Sequence, residues 1–177
     1  MDEGWLFVSA VDLVPLVLTL VFAATMLVAI VWDIATYEIP DSLSVILLVV
    51  GVGALLAGQG WSGLVSHALG AAVVFAVGVT MFALGQWGGG DVKFMAASSL
   101  WLGWPVLVGY VLWVAIAGGV LGVLVLAFRR WHLPEAWQER PWLARLHRAG
   151  QGLPYGVALG AGGLVMLHPA IVSVFRL

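Results

Sequence analysis

The sequence predicts an all-α polytopic membrane protein with about six transmembrane helices and with its N- and C-termini on the outer side. Two observations lead to this class. Of the 177 residues, 63% are hydrophobic and only 9% are charged, and apolar runs of membrane-spanning length recur along the chain. Soluble domains carry about 25% charged residues, so a soluble monomer is excluded. Intrinsic disorder is excluded because it requires few hydrophobic residues and many charges.

Six apolar runs are bounded by glycine, proline and polar clusters. A helix needs about 20 mostly apolar residues to cross the bilayer. We assign the spans to approximate residues 11–32, 43–57, 64–84, 92–102, 105–128 and 154–175. The fourth is short: from Asp91 to Gly103 a helix rises only about 20 Å, against a hydrocarbon core of about 30 Å. Either the bilayer thins here or one end of this helix lies below the membrane surface, and a sunken N-terminal end would place Asp91 in a recess.

The connections between spans indicate one domain and one orientation. Residues 129–153 form the only long connection, which is too short and too charged to be a second domain, so residues 1–177 are taken as a single unit. The connection of residues 129–153 holds five arginines, and arginine and lysine concentrate in cytoplasmic loops. The connections after spans 1, 3 and 5 are therefore expected inside. Trp101, near the outer end of the fourth span, is placed in the outer interfacial belt of tryptophans.

Charge, cysteine content and the N-terminal residues exclude several kinds of site and signal. The net charge of −2 argues against nucleic-acid binding. The absence of cysteine excludes disulfides, zinc–cysteine sites and a thiol nucleophile. No spacing of histidine and acidic residues indicates a metal site, so we expect no metal and no cofactor. The N-terminus carries Asp2 and Glu3 and is unlike the basic start of a secretory signal peptide. The first apolar run should therefore remain as a span.

Two aspartates are the strongest candidates for chemistry. Asp33 follows span 1 and Asp91 precedes span 4, so both should meet the inner membrane face. An ionisable residue at a span is a functional hypothesis by default. The alternative for Asp33 is a polar residue that ends a helix, although the helix dipole disfavours an acid there. The alternative for Asp91 is a plain N-cap.

Two carboxylates on one face indicate aspartyl-protease chemistry. Like charges a few ångströms apart cannot both ionise cheaply, so the pair shares a proton. The ionised member activates a water, and the protonated member polarises the scissile carbonyl and protonates the leaving amine. The two roles are not assigned to individual residues. No serine has a nearby base, and His67, His132, His147 and His168 are interpreted as structural or solvated.

Three segments together resemble the type IV prepilin peptidase family, membrane aspartic proteases of the Gly-x-Gly-Asp class. Residues 32–40 read Trp-Asp-Ile-Ala-Thr-Tyr-Glu-Ile-Pro, residues 88–93 read Gly-Gly-Gly-Asp-Val-Lys, and residues 153–158 read Leu-Pro-Tyr-Gly-Val-Ala. The resemblance implies that Asp33 and Asp91 are catalytic. It also implies substrates that are prepilins or pseudopilins, cut at the cytoplasmic face between a short basic leader and the hydrophobic N-terminal helix of the mature protein.

Residues around the two aspartates are candidates for substrate binding. Gly88, Gly89 and Gly90 allow a positive φ and a close backbone approach, which would let them hold an extended substrate strand. The family often has basic residues before Ile-Pro and asparagine after it, whereas this chain has Glu38 and Asp41, which could attract a basic leader. The alternatives are a solvated charge for Glu38 and an N-cap for Asp41. Lys93 either anchors the inner face or tunes the aspartate pair.

The length of the chain indicates a short form of the family. Longer relatives carry a cysteine-rich insert after span 1, linked with N-methylation, whereas here residues 33–42 join spans 1 and 2. The chain is therefore similar to peptidase-only members that serve Flp/Tad-type pili, with no methyltransferase activity and no zinc expected. It should lie in the cytoplasmic membrane among lipids, and its oligomeric state is left open.

Other interpretations of the two aspartates stay open. An archaeal-type preflagellin peptidase is a close alternative within the same class of enzyme. A non-enzymatic transporter or pilus-assembly scaffold is the rival from another class, because acids near a membrane also serve proton relays. A transporter would be favoured by inverted repeats or paired interrupted helices, and no convincing repeat is found.

Overall fold

The computed structural model describes residues 10–58, 60–132, 134, 137, 139–148 and 152–175. Within these residues it contains helices and no strands, which confirms the all-α prediction. The helices are α1 (Ala10–Thr36), α2 (Asp41–Gly58), α3 (Gly60–Ala83), α4 (Gly89–Leu102), α5 (Trp104–Arg129), α6 (Pro141–His147) and α7 (Gly156–Phe175).

Among the described residues, three helical segments are long and apolar enough to cross a membrane, namely Leu16–Thr36, Gly60–Ala83 and Trp104–Arg129. Two shorter apolar helices, Asp41–Leu56 and Gly156–Leu167, accompany them. The chain is thus an all-α membrane protein. The six-span count and the outer position of the termini stay predictions, and residues 1–9 and 176–177 lie outside the described part of the chain.

The short helix α4 is the centre of the bundle. It packs against α2, α3, α5 and α7, and most of its side chains are buried. Its serine hydroxyls do not oppose this burial, because Ser98 and Ser99 each donate to the carbonyl one turn back, at 2.8 Å. A helix surrounded by other helices must be largely apolar, and α4 meets that requirement from Phe94 to Leu102, after Asp91 and the exposed Lys93 near its start.

Trp101 corrects one expectation. It is only 1% exposed and stacks on Phe22 of α1, with ring centroids 5.4 Å apart. The placement of Trp101 in the outer interfacial belt is therefore wrong. Because α4 is enclosed by other helices, its outer end lies in the protein core rather than at the lipid boundary.

Close helix packing depends on the small residues spaced along α5 and α7. A Cβ atom on Gly160 would lie 2.9 Å from the Met26 carbonyl oxygen of α1, and one on Gly162 would lie 2.7 Å from a methyl group of Val114 of α5. Small residues at such positions let helices approach closely within a membrane. This packing fixes the start of α7 beside the end of α1, where the first aspartate lies.

Candidate active site

Asp33 lies near the C-terminal end of α1 and is only 3% exposed. The helix continues past it to Thr36, so Asp33 does not end the helix as the alternative interpretation required. Its carboxylate accepts a 2.6 Å hydrogen bond from the backbone N–H of Gly156, at the start of α7. The charge of Asp91 also acts on this carboxylate. Asp33 is therefore held in the protein interior by a backbone donor from the last helix.

Asp91 lies in the first turn of α4, two residues after the helix begins at Gly89. The N-cap position belongs to Gly88, so the N-cap interpretation of Asp91 is wrong. The carboxylate accepts a hydrogen bond from the Gly88 N–H at 3.2 Å. Burial raises the pKa of Asp91, and the Gly88 hydrogen bond opposes that rise. A helix N-terminus also favours a negative charge.

The three glycines before Asp91 do not adopt the expected positive φ. Gly88 has φ −76°, and Gly89 and Gly90 are already helical. In the connection between α3 and α4, the glycine with a positive φ is Gly85, at 70°. This conformation ends α3, because it lets the N–H of Gln86 donate to the Met81 carbonyl. The expected close approach does occur at Gly90, where a Cβ atom would lie 3.1 Å from the carbonyl oxygen of Ile39.

A cavity of about 270 Å³ opens between the α1–α2 connection and the start of α4. We call it the candidate cleft. Its lining residues come from two stretches, Tyr37, Glu38, Ile39 and Asp41 on one side and Gly88, Gly89, Gly90 and Asp91 on the other. Every sequence-predicted site residue except Asp33 and Lys93 thus lines one cleft. Asp33 is buried and does not line the cleft.

Tyr155 and Gly156 lie close to the two aspartates, and they were not among the predicted site residues. Gly156 donates to Asp33. The neighbouring Tyr155 lies within the electrostatic influence of Asp91, since burial and then the Asp91 charge raise the pKa of its hydroxyl. Its ring packs 6.0 Å from that of Trp87. The signal that could have found them is the Pro-Tyr-Gly segment, which was already part of the family resemblance.

Lys93 and Asp41 form an ion pair at the edge of the cleft. Lys93 Nζ donates to both carboxylate oxygens of Asp41, each at 2.8 Å. Asp41 is the first residue of α2 rather than its N-cap. The two side chains are 51% and 67% exposed respectively, and Glu38 is exposed as well. Lys93 therefore compensates one charge of the acidic loop.

In the described part of the chain, no group of three histidine or acidic residues is placed to hold a metal ion. His67 is buried and donates to the Leu100 carbonyl at 3.0 Å. A larger cavity, of about 600 Å³, lies between the end of α5 and α6. Neither aspartate lines it. The cleft between the α1–α2 connection and α4 is smaller, but it is lined by Asp91 and by most of the predicted site residues.

Comparison with known proteins gives the family. The model of the type IV leader peptidase family matches residues 20–123, a range that includes both aspartates. Two relatives, both named prepilin leader peptidase/N-methyltransferase, come from Burkholderia pseudomallei strains 1026b and K96243. Each is 31% identical over 147 residues, which cover 76% of this chain and 40% of the relative.

The matches cover most of this chain but less than half of each relative. The chain spans about 40% of the length of the curated relatives it matches. No solved structure matches it. The family model covers more than half of the 177 residues, and the two segments that carry the aspartates fall inside that range. The chain belongs to the type IV leader peptidase family.

Proposed function

We propose that this chain is a membrane aspartic endopeptidase that removes the short leader from type IV prepilins or pseudopilins. One observation carries the proposal: Asp33 of α1 and Asp91 of α4 lie at one end of the bundle, where the charge of Asp91 acts on Asp33 and Ile39 contacts both Gly90 and Gly156. Membership of the type IV leader peptidase family supports it, and so do the names of the two relatives.

The chemistry needs one ionised and one protonated carboxyl group. The ionised aspartate takes a proton from water as the water oxygen attacks the scissile carbonyl carbon. The protonated aspartate donates to the carbonyl oxygen, and a proton passes to the leaving amine as the C–N bond breaks. The mutual repulsion of Asp33 and Asp91 favours such a shared proton. The two roles belong to the pair rather than to either residue.

The proposed reaction takes place at the cytoplasmic face. Basic side chains surround the end of the bundle that holds the aspartates: Lys93 binds Asp41, and Arg145 Nη2 donates to the Ala35 carbonyl at 2.8 Å. Because lysine and arginine concentrate in cytoplasmic loops, this end is assigned to the inner side of the cytoplasmic membrane.

We further propose that residues 1–177 form one peptidase unit without methyltransferase activity. The relatives carry N-methyltransferase in their names, but only residues 37–40 separate α1 from α2 here. This connection leaves no room for an inserted domain at the position where the family resemblance implies one.

Cleavage of a prepilin from the same genome tests the proposal. The purified full chain in lipid vesicles should release the leader, whereas folded Asp33→Asn and Asp91→Asn variants should retain it. Glu139→Gln is the matched control, because it neutralises an exposed acid that does not line the cleft. The mass of the released pilin, with S-adenosylmethionine present, should equal that of the unmethylated product.

Each result of this assay has a defined meaning. Leader removal by either aspartate variant would contradict the paired mechanism. Failure of the wild-type chain to cut several candidate prepilins in lipid would contradict the peptidase proposal itself. A product heavier by one methyl group would contradict only the peptidase-only assignment.

A further inference from the structure

A second cavity, of about 450 Å³, runs along the outside of the bundle where α2, α3 and α4 meet. We call it the α2–α3 groove. Helix α4 packs closely on both α2 and α3, which contact each other less, so α4 forms the floor and the other two helices form the walls. The lining is almost wholly apolar apart from Asp41, Ser44 and Lys93.

Small side chains give the groove its shape. Ala68, Ala71 and Ala72 lie on one face of α3, and Ala96 and Ala97 contribute from α4. Small residues at a helix surface let another helix come close, and membrane helices associate chiefly through such packing. The α3 residues that line the groove run from Ala68 to Phe75, about 10 Å or two helical turns. The groove therefore fits one segment of a transmembrane helix.

The groove begins at the candidate cleft. Asp41 lines both the cleft and the groove, and from there the groove extends along α2 through Ser44 and Leu48, away from the end that holds the aspartates. A second apolar groove, of about 320 Å³, lies between α3 and α5 and includes Val108. None of the residues lining this second groove lines the cleft. Continuity with the cleft thus distinguishes the α2–α3 groove.

Polar groups at the entrance can be rearranged at low cost. The Asp41–Lys93 pair is more than half exposed on both sides, and exposed ion pairs contribute about 0–1 kcal/mol. A charged group on an incoming chain can therefore replace either partner. One turn further in, Ser44 lines the groove, and its buried hydroxyl oxygen makes no hydrogen bond within the described residues.

We propose that the α2–α3 groove binds the hydrophobic helix that follows the scissile bond of the substrate. This inference rests on the proposed function, since a substrate cut just before a membrane helix must lead that helix away from the cleft. The groove starts at Asp41 and runs into the apolar part of the bundle. The leader then lies on the Glu38 side of the cleft, and the mature helix packs against Ala68, Ala72 and Ala97.

Disulfide cross-linking tests the location directly, because the chain has no native cysteine. A single cysteine at Ala72 is paired with single cysteines placed along the pilin helix, in an Asp91→Asn background that preserves the substrate. Ala72→Cys should cross-link at helix positions that repeat every three or four residues. Val108→Cys, in the α3–α5 groove, is the matched control and should not. Cross-linking at Val108 and not at Ala72 would overturn the proposal.

A filled groove supplies the functional test. Ala72 is exposed, so Ala72→Trp should fold while blocking the groove. It should lower kcat/KM for the full-length prepilin about tenfold or more and leave cleavage of a soluble peptide without the hydrophobic helix unchanged. Val108→Trp should affect neither substrate.

The two substrates separate the two proposals. Equal cleavage of the full-length prepilin by wild type and Ala72→Trp overturns the docking site while leaving the peptidase intact. A wild-type chain that cuts neither substrate overturns the proposed function, and the cross-linking pattern then decides the docking site alone.

Discussion

Gly156 determines how closely α7 approaches the Asp33 carboxylate. Its N–H donates to Asp33 at 2.6 Å, and a Cβ atom at this position would lie 2.8 Å from the same carboxylate oxygen and 2.9 Å from a methyl group of Ile39. Ile39 in turn contacts Gly90. A single missing side chain therefore lets α7, the α1–α2 connection and the start of α4 converge on one point.

Replacement of Gly156 by alanine should reduce leader cleavage about 100-fold, because displacement of a reacting group by about 1 Å has effects of that size. Overpacking should also lower the free energy of unfolding by about 1–3 kcal/mol. Gly152→Ala is the matched control, since a Cβ atom there has no neighbour within 4 Å. Steady-state kinetics and thermal unfolding of both variants measure the difference, and full activity of Gly156→Ala would contradict the assigned contact.

The ionisation of Asp91 should weaken folding. Burial raises the pKa of Asp91 in the folded protein above its unfolded value. As pH rises through that folded pKa, the free energy of unfolding of the wild type therefore falls relative to that of a variant with an uncharged side chain. The asparagine of an Asp91→Asn variant keeps an oxygen that can accept the Gly88 hydrogen bond. The variant should therefore unfold at a higher temperature than wild type at pH 7. This gain should vanish below the ordinary carboxyl pKa of about 3.9, where both side chains are neutral.

Thermal unfolding in detergent across this pH range provides the measurement. A variant less stable than wild type at pH 7 would mean that the hydrogen bond of the Asp91 carboxylate to Gly88 outweighs its desolvation.

At the scale of elements, the seven-residue helix α6 is attached to the bundle by a few hydrogen bonds. Arg145 donates to the Ala35 carbonyl at 2.8 Å, Arg129 Nε donates to the Leu146 carbonyl at 2.9 Å, and Leu143 is buried. The carbonyl of Ala35 lies in the last turn of α1, two residues after Asp33. Helix α6 thus supports the end of the helix that carries a candidate catalytic residue.

Substitution of Arg145 by methionine should loosen the last turn of α1. Loss of one charged hydrogen bond costs about 1–2 kcal/mol locally, so amide hydrogens at residues 34–37 should exchange about fivefold faster or more. Arg140→Met, which removes an exposed arginine at the start of the same helix, is the control. Unchanged exchange in Arg145→Met, measured by mass spectrometry, would show that α6 does not support this turn.

The helices could largely be predicted because glycine, proline and polar clusters interrupt the apolar runs at nearly the positions where the helices end. Which face of each helix meets lipid and which meets the protein core could not be predicted. Hydropathy does not distinguish a side chain that faces lipid from one that faces the core, and Trp101 was misplaced for that reason. Asp33 and Asp91 were found from their motifs and from membrane sidedness. Gly156 acts through a backbone N–H, which every residue except proline possesses, so its role required the fold.

At the scale of the whole molecule, the orientation in the membrane decides where the chemistry occurs. All the contacts of the candidate site, together with Lys93, Arg129 and Arg145, lie at one end of the bundle. Because lysine and arginine concentrate in cytoplasmic loops, the positive-inside rule assigns this end to the cytoplasm. The same rule assigns the connection between α2 and α3 to the opposite side.

Single cysteines in the cysteine-free chain should report this orientation. Ser62→Cys, at the exposed start of α3, should react with a membrane-impermeant maleimide in intact cells. Glu139→Cys, in the exposed connection after α5, should react only after the membrane is permeabilised. The reverse labelling pattern would move both aspartates to the outer face and would rule out cleavage at the cytoplasmic surface.

The hydrogen bond between Gly156 and Asp33 also has a consequence for biosynthesis. A ribosome adds residues from the N-terminus, so Asp33 and Asp91 enter the membrane while Tyr155 and Gly156 are still untranslated. The nascent chain at that stage carries both acids without the donor that orients one of them. Under the proposed function, the nascent chain is therefore expected to cleave no substrate until the last helix has been inserted.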